Sequence, residues 1–342
     1  MLRGIRYGRP CMQTYLYGYI ALVKPKVIVT LIDNSLPFYF INHRFPKATT
    51  IAIQNGRRDN FGRKPNTGFL DLLQIDHGWG KPTISHYCMF GEAEISLLRK
   101  YIRANFIATG NLQNNSYPQK PLTARARPKI SFVSSHPNLS HDLSTTALSQ
   151  DTYMHTGNRT ISFFEYYRIE RDVAKVVGQY CAENNLDFRI VGKRPETTPQ
   201  EHAFYAEALG EIPFTFHPCS TEGASYPRLL DSDVVVTVDS TIAYELFGRG
   251  KRVAFISVRG EAIGHSSIDF CRFASPLSTP DTGNNWTNTF DPMVIKSKLE
   301  FVRSSSQSEW EDATKSIAPQ LVYFDEGNTR IRSLFTSLGL AR

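Results

Sequence analysis

Polar residues that could bind a phosphate follow a buried strand in the stretch DVVVTVDSTIAYELFGRGKRVAFISV, residues 233–258. The valine run ends at Asp239, Ser240 and Thr241, and a helical pattern follows. Serine and threonine are good N-caps, and the free N–H groups and dipole of a helix N-terminus favour an anion. Glu245 lies one turn further on, where a carboxylate could accept hydrogen bonds from ribose hydroxyls. The same pattern is an ordinary capping box, so this stretch alone leaves both interpretations open.

Cationic and polar residues follow other strand-like runs of the same region. Lys193 and Arg194 come after DFRIVG, and His217 and Pro218 come after FTF. Arg259 ends the run RVAFISV. In an open parallel sheet, ligands bind beyond the carboxyl ends of the strands, and a phosphate site there requires cations. Each residue taken singly is typical of a surface loop or a structural position, but together they predict a nucleotide-binding edge.

A carboxylate that accepts a proton, or acts as a nucleophile, should face the same cleft. Asp33 follows the run VIVTLI and is the first choice, and Asp59 after QNGRR is the second. Asn55, Gly56 and Arg57 precede Asp59, and we expect them to shape the acceptor-side wall of the cleft. Asp33 could equally be an Asx cap in a tight turn.

The sequence indicates no metal site and no tightly bound cofactor. The DSD triplet at residues 231–233 precedes a strand rather than following one, which places it at the wrong end of the sheet. The five cysteines are far apart and form no CxxC pair, as expected of reduced thiols in the cytosol. Neither GxGxxG nor GxxxxGK[ST] occurs, so the two best-known phosphate-binding loops are excluded.

The elements that must position these residues form two alternating series. Strands are predicted first at KVIVTLIDN, TTIAIQNG, PTISHYCMFG and NFIATGN, and later at KISFVSS, DFRIVGK, FTFHP, DVVVTVD and RVAFISV. Helices are predicted at EAEISLLRKYI, FFEYYRIERDVAKVVGQYCAENN and PQEHAFYAEALG, and residues 136–160 are predicted to be a long loop. Apolar strands that alternate with helices indicate parallel sheets. We therefore predict an α/β fold with two Rossmann-like domains, at residues 1–118 and 129–342.

The segment between the two series, NNSYPQKPLTARARPK, is rich in proline and polar residues and lacks periodicity, so residues 119–128 are predicted to be a linker. The second domain is expected to end in a helical tail from about Asp291.

Composition limits the class of protein. The chain has 342 residues, 41% hydrophobic and 21% charged, which is typical of globular proteins. A net charge of +7 favours anionic partners or simply a mildly basic enzyme surface. Its basic residues are scattered without an aromatic-basic motif, so nucleic-acid binding is not expected. No apolar run approaches the ~20 residues that span a bilayer. The N-terminus is not typical of a signal peptide, and we expect a cytoplasmic protein.

The motif HP followed by SDVVVTVDSTIAYELFGRGKRVAFI resembles the donor-nucleotide half of GT-B glycosyltransferases, especially bacterial capsule and O-antigen biosynthesis proteins. IQNGRRD and MFGEAEISLLRKYIRANFIATGN are also similar to that family. Related enzymes transfer Kdo or sialic acid from CMP-sugars, or polyol phosphates from CDP-alcohols. The sialyltransferases hold CMP with a His-Pro and a Ser-Ser/Thr motif, which His217-Pro218 and Ser240-Thr241 match in type and order.

The sequence also departs from that family. The chain begins close to its first convincing strand, so a shortened N-terminal domain that lacks its first strand–helix unit is expected. The Asp/Glu-Asp-Gly motif of many sialyltransferases is replaced by LIDNS and QNGRRD.

The resemblance implies a metal-independent glycosyltransferase that uses a nucleotide sugar as co-substrate, with a CMP-sugar favoured and a UDP-sugar possible. It implies a bacterial surface glycan or a lipid-linked acceptor, and peripheral contact with the inner membrane through the basic, aromatic N-terminus. One alternative is a CDP-alcohol polyol-phosphate transferase, although Asn55 stands where such enzymes carry a histidine. The others are a sugar-nucleotide epimerase of similar fold and a non-catalytic GT-B-like scaffold.

Overall fold

Two parallel β-sheets form the framework of the protein. The computed structural model describes residues 12–58, 68–75, 78, 80–119, 125–136, 152–195, 199–221, 223–265, 267 and 269–340. Among these residues, no helix is long and apolar enough to cross a membrane. The parallel pairing predicted from alternating strands and helices is confirmed for both sheets.

The first sheet has four strands in the order β1-β2-β3-β4, so β1 is an edge strand. Its strands are β1 (Val27–Thr30), β2 (Thr49–Ile53), β3 (Thr83–Met89) and β4 (Arg103–Ala108). The helices of this part are α1 (Met12–Val23), α2 (Ile41–Arg44), α3 (Phe69–Gln74), α4 (Glu92–Leu98) and α5 (Leu112–Ser116), with a 3-10 helix at Leu36–Phe40.

The second sheet has six strands in the order β12-β11-β10-β5-β8-β9. They are β5 (Lys129–Val133), β8 (Asp187–Val191), β9 (Thr215–His217), β10 (Val234–Thr237), β11 (Val253–Ile256) and β12 (Trp286–Thr287). Its helices include α6 (Phe163–Glu183), α7 (Pro199–Leu209), α8 (Ser225–Leu230), α9 (Thr241–Gly248) and α10 (Arg259–Ala262). Strand β10 is buried at all four residues, as a central parallel strand requires.

The prediction of a long loop at residues 136–160 is wrong for the last part of that range. Residues 152–162 form an antiparallel hairpin of β6 (Thr152–Thr156) and β7 (Arg159–Ser162). Tyr153, Met154 and Ile161 are buried, so the hairpin covers apolar surface beside α6. Ser162 ends the hairpin and caps α6 through a capping box with Glu165, which fixes where the strand stops and the helix begins.

The helical tail begins where it was predicted, because the Asp291 side chain caps α11 (Pro292–Ser304). It continues through α12 (Gln307–Thr314), α13 (Ala318–Leu321), a 3-10 helix (Glu326–Asn328) and α14 (Thr329–Ser337). The last helix packs on the first sheet, where Ile331 and Leu334 share a core with Ile51, Ile53 and Cys88. The domain boundaries stay a prediction, but the chain clearly crosses back to its first sheet.

Candidate functional site

A cavity of about 260 Å³ lies between residues that follow the carboxyl ends of strands from both sheets. Asn34 and Arg57 line it after β1 and β2, and Asp239 lines it after β10. Tyr166 and Cys271 complete much of the second wall. The carboxyl edge of a parallel sheet is where open α/β folds bind ligands, so this cavity is the candidate functional site.

The turn after β2 is held by a buried amide and a buried carboxylate. Gln54, only 2% exposed, accepts a hydrogen bond from the Phe90 amide at 2.7 Å and donates one to the Gly56 carbonyl at 2.8 Å. Glu94 accepts from the side chain of Gln54 and, at 3.3 Å, from the Arg58 amide. These bonds fix the backbone of residues 54–58 and so orient the side chain of Arg57 in the cavity.

Asp33, the first predicted catalytic residue, is fully buried beside the cavity. Its carboxylate accepts hydrogen bonds from the Arg58 Nε at 2.6 Å, the Tyr87 hydroxyl at 2.7 Å and the Asn55 amide at 3.1 Å. Asn55 also accepts from Arg58 through its side-chain oxygen at 2.7 Å. In this arrangement Asp33 holds Arg58 and the turn in place, and it presents no accessible oxygen to a bound acceptor. Asp59, the second choice, lies outside the described residues.

Asp239 is the carboxylate that faces the cavity, with 18% of its side chain exposed. It accepts hydrogen bonds from Arg259 Nε at 2.6 Å and from the Ser135 hydroxyl at 3.2 Å. The Cys271 thiol lies 3.7 Å from it. Burial alone would raise the pKa of Asp239, but the guanidinium of Arg259 outweighs it and holds that pKa below its usual value. Asp239 is therefore an ionised group at the wall of the site.

Arg259 was predicted to reach the ligand, but the structure places it behind Asp239. The residue is 0% exposed, and its guanidinium also donates to Glu170 and to the Tyr166 carbonyl. Its charge lies 4.4 Å from the centre of the Tyr166 ring. A guanidinium enclosed by two carboxylates and an aromatic face is fully occupied. Arg259 thus positions Asp239 and does not touch the cavity itself.

The turn after β2, at residues 55–57, meets the Ser240-Thr241 start of α9 across the site. Ser240 is the N-cap of α9, and its side chain makes no capping hydrogen bond. The Thr241 hydroxyl lies 3.5 Å from the Arg57 amide and 3.9 Å from where a Cβ on Gly56 would stand. The Arg57 guanidinium lies 3.9 Å from the Tyr244 ring centre on the same helix. The turn at residues 55–57 and the start of α9 therefore form facing walls.

Glu245 does not face the cavity. It is 3% exposed and accepts a hydrogen bond from the Tyr226 hydroxyl. Burial raises its pKa to about 8, although the bond from Tyr226 opposes this shift. Asn114, from the connection that follows the first sheet, donates to the Glu245 carbonyl at 3.0 Å. A ribose could reach this carboxylate only if Tyr226 moved.

The remaining predicted nucleotide contacts lie at neighbouring strand ends, outside the cavity wall. The amides of Lys193 and Arg194 each donate to Glu201 at 2.8 Å. The side chain of Lys193 is exposed. His217 ends β9, and burial followed by the charge of Arg228 lowers its pKa. Arg228 also donates to the carbonyl of Pro218, so this pair lies on the α8 side of the sheet.

The predictions from the sequence did not include three buried polar residues: Glu170, Glu201 and Tyr205. Glu170 and Glu201 are 0% exposed, and Tyr205 donates to Glu170 and to Ser134 at 2.9 Å each. Ser134 in turn donates to Glu201 at 2.6 Å. This network fixes the backbone at the ends of β5 and β8. The helical spacing of the sequence could have revealed both glutamates, because each lies on the apolar side of its helix. Glu170 lies among Tyr166, Tyr167 and Val173 on α6. Glu201 shares the buried side of α7 with Phe204, Tyr205 and Leu209.

Known structures share this architecture at low sequence identity. A "putative UDP-N-acetylglucosamine 2-epimerase" from Listeria monocytogenes superposes with a TM-score of 0.53 and 12% identity, over 96% of this chain and 79% of that one. The UDP-GlcNAc 2-epimerase of Methanocaldococcus jannaschii, in complex with UDP-GlcNAc and UDP, gives a TM-score of 0.51 and 10% identity over 95% and 80%. These similarities confirm the GT-B fold, with two Rossmann-like domains.

A variant of the wall teichoic acid polymerase TagF is also similar, with a TM-score of 0.47 and 12% identity over 85% of this chain and 68% of that one. No curated protein matches the sequence. Residues 51–338, most of the chain, match the family described as "putative O-antigen biosynthesis protein". Together with the fold, this match confirms the predicted relationship to surface-polysaccharide proteins: the chain belongs to the O-antigen biosynthesis protein family.

Proposed function

We propose that the protein is a glycosyltransferase that moves a sugar from a nucleotide-activated donor to a surface glycan or a lipid-linked acceptor. The observation that carries the proposal is the cavity at the carboxyl ends of both sheets, where Asp239 faces the turn of Arg57. Family membership supports a role in the synthesis of a surface polysaccharide. The proposal needs no metal ion or further cofactor.

The donor is proposed to be a CMP-sugar of the Kdo or sialic-acid type, with a UDP-sugar as the second choice. His217-Pro218 and Ser240-Thr241 support CMP, because they resemble the nucleotide-binding motifs of sialyltransferases. UDP is supported by the structurally similar epimerase of Methanocaldococcus jannaschii, which binds UDP-GlcNAc and UDP.

In the proposed reaction, the leaving phosphate lies at the start of α9. The hydroxyls of Ser240 and Thr241, the helix dipole and the charge of Arg57 stabilise the negative charge that develops there. Asp239 accepts the proton of the acceptor hydroxyl as the new glycosidic bond forms. Arg259 keeps Asp239 ionised until that step. Asp33 is assigned a positioning role through Arg58.

Because the cavity is small, a non-catalytic scaffold is the second candidate function. The cavity volume of about 260 Å³ lies just below the roughly 300–1,000 Å³ of most ligand pockets, so a whole nucleotide sugar requires the two walls to separate. A transferase opens in this way to bind its donor, whereas a scaffold does not. A polyol-phosphate transferase that uses a CDP-alcohol would open likewise, and CDP would distinguish it.

Thermal unfolding with CMP, CDP, UDP and GDP tests the proposal. A nucleotide at a hundredfold excess over its dissociation constant should stabilise the fold by about 2.7 kcal/mol. Ser240→Ala is the matched variant, because the Ser240 side chain makes no capping bond and its loss should leave the unliganded stability nearly unchanged. We expect CMP to raise the melting temperature of the wild type and Ser240→Ala to abolish that shift.

The other outcomes decide between the candidates. A shift with UDP alone keeps the transferase and changes the donor, and a shift with CDP alone favours the polyol-phosphate transferase. No shift with any nucleotide contradicts the proposal and supports the scaffold. Where a nucleotide binds, Asp239→Asn should retain that binding and lose hydrolysis of the corresponding nucleotide sugar.

A further inference from the structure

Basic residues that are scattered along the sequence meet at the amino edge of the first sheet. A short segment leads into each of its four strands: KPK at residues 24–26, HRFPKA at 43–48, KP at 81–82 and RKYIR at 99–103. We call these four segments the basic edge. They contain eight lysines and arginines and no aspartate or glutamate. The net charge of the chain is +7, so these eight cations account for all of its excess positive charge.

Hydrogen bonds hold the four segments of the basic edge side by side. The Thr49 amide donates to the Lys26 carbonyl at 2.8 Å, which joins the first segment to the start of β2. The Lys81 carbonyl lies 3.3 Å from His43 Nε2, and the Lys81 ammonium donates to the Arg99 carbonyl at 3.3 Å. Because neighbouring strands lie about 4.8 Å apart, the basic edge is about 15 Å wide.

The cations of the basic edge are exposed and lack acidic partners. Within the described part of the chain, seven of them are exposed and form no salt bridge: Lys24, Lys26, Lys47, Lys81, Arg99, Lys100 and Arg103. The eighth, Arg44, is half-buried and lies 5.0 Å from the centre of the Tyr17 ring. By contrast, the exposed Lys315 meets Asp312 at 2.6 Å. Like charges without counter-charges repel one another, so this surface favours an anionic partner.

The composition of the basic edge identifies the kind of anion. Five of its eight cations are lysines, a residue type that is depleted in protein–protein interfaces. None of the large apolar side chains exposed in the described residues belongs to it, although protein interfaces and lipid-binding surfaces both require such side chains. Phe45 and Tyr101 pack against the core of the first sheet and do not form a platform for nucleic-acid bases. The basic edge is therefore suited to many separate contacts with a flexible, polar polyanion.

We propose that the basic edge binds an anionic polysaccharide whose sugar units carry carboxylates or phosphates. This inference rests on the proposed function, since a transferase that extends a surface polysaccharide meets such a polymer as its acceptor or product. The lysine ammonium groups contact the anionic groups as point charges. Release of the counterions of the polymer supplies free energy for binding.

The basic edge lies at the opposite end of the first sheet from the candidate site. Asn34 and Arg57 line the cavity beyond the carboxyl ends of β1 and β2, whereas the basic edge precedes their amino ends. Strand β3, with seven residues, separates the two ends of the sheet by about 23 Å. A polymer at the basic edge therefore leaves the cavity free, and only a chain of several sugar units reaches both. The basic edge thus selects long acceptors over short ones and retains a growing chain between additions.

Binding of polygalacturonate, a polysaccharide with one carboxylate per sugar, tests the inference without nucleotide or turnover. Fluorescence anisotropy of the labelled polymer is measured with the full chain between about 50 and 200 mM salt. We expect binding that salt weakens, and no binding of neutral dextran. Lys26→Gln/Lys47→Gln/Lys100→Gln should weaken binding by roughly tenfold or more. The same variant should reduce the slope of log affinity against log salt by about 2, at roughly 0.7 per lost contact with a single-stranded polyanion.

Lys175→Gln/Lys298→Gln/Lys315→Gln is the matched control, because it removes the same charge from α6, α11 and α12. Its affinity should stay within about twofold of the wild type, since charges far from the bound polymer are screened. Circular dichroism verifies that both triple variants fold. The inference is overturned if polygalacturonate does not bind, or if the variant of the basic edge binds it as tightly as the wild type.

Two competing ligands complete the test. At equal concentrations of anionic groups, tighter binding of single-stranded RNA or of phosphatidylglycerol vesicles than of polygalacturonate overturns the inference, because nucleic acid or lipid would then be the partner. Stabilisation by nucleotides is measured separately. Its absence, with polygalacturonate still bound at the basic edge, contradicts the proposed transferase and not the polyanion site, whereas stabilisation without polygalacturonate binding contradicts this inference alone.

Discussion

Glu245 shows how burial changes the chemistry of a single residue. The folded protein holds its proton up to about pH 8, compared with an ordinary pKa of 4.5. Because the unfolded chain releases this proton at a lower pH than the folded protein, unfolding becomes easier as the pH rises between these values. The stabilising effect of the protonated group is complete below pH 4.5 and is lost as the pH rises through about 8.

Glu245→Gln should remove this pH dependence, because an amide cannot titrate and keeps nearly the same shape. Between about pH 5 and 8, the free energy of unfolding of the wild type should fall by up to about 1.4 kcal/mol per pH unit more than that of the variant. Urea unfolding of both proteins at several pH values measures the difference. Parallel curves for the two proteins would show that Glu245 is ionised in the folded state.

Residue types at strand ends could be predicted from the sequence, but their exposure could not. The position of Asp239, Ser240 and Arg57 at the carboxyl edges followed from the alternation of strands and helices. Both Asp33 and Asp239 pair with an arginine, so which of them meets the cavity depends on what else covers the carboxylate. Tyr87 and the Asn55 amide complete the burial of Asp33, and Arg58 comes from a different strand end than Asp33. Such a contact joins parts of the chain that no local pattern relates. The catalytic and nucleotide-binding roles stay predictions.

Helix α9 illustrates the same limit for an element. Its start was predicted from the Ser-Thr pair, and its end from the glycines that follow. The reason for Gly248 appears only in three dimensions. A Cβ on Gly248 would lie 2.2 Å from the Val322 carbonyl, so the connection after α13 runs directly across the helix. A Cβ on Gly91, just before α4, would likewise lie 2.3 Å from the Gln320 carbonyl oxygen.

Gly248→Ala should therefore destabilise the protein by about 2 kcal/mol or more, because the backbone of residues 320–322 must shift. Helix propensity alone predicts the opposite, a gain of about 1 kcal/mol. Gly56→Ala serves as the control: its Cβ would be 3.7 Å from the nearest atom, and its stability should change little. Urea unfolding measures the stability of both variants. If Gly248→Ala were more stable than the wild type, the connection after α13 would not contact α9 as closely as described.

The whole molecule is joined by contacts that cross between the two sheets. Arg249, at the end of α9, donates to the carbonyls of Asn114, Tyr117 and Pro118 at 3.0–3.1 Å. The residue is 9% exposed, and its guanidinium lies 4.6 Å from the Phe324 ring centre. Burial lowers the pKa of Arg249, but such a guanidinium remains charged. One side chain thus fastens the connection after the first sheet to the helix that borders the site.

Arg249→Ala should cost about 2–4 kcal/mol, because a largely buried guanidinium and its hydrogen bonds to three carbonyls are lost. Arg249→Lys should recover less than half of this loss, since an ammonium cannot reproduce the planar fork. The exposed Arg332→Ala should stay within about 0.5 kcal/mol of the wild type. Denaturant unfolding supplies all three values. Full rescue by lysine would show that charge alone, rather than geometry, holds the two parts.

The return of α14 to the first sheet has a consequence for synthesis in the cell. Ile51, Ile53 and Cys88 are made before the second sheet, but Ile331 and Leu334, which complete their core, are made after it. Residues 129–256 supply five of the six strands of the second sheet well before that point. Although domains usually fold in the order of synthesis, the first sheet here must wait, with one apolar face open to chaperones, until the ribosome has made residues 329–337.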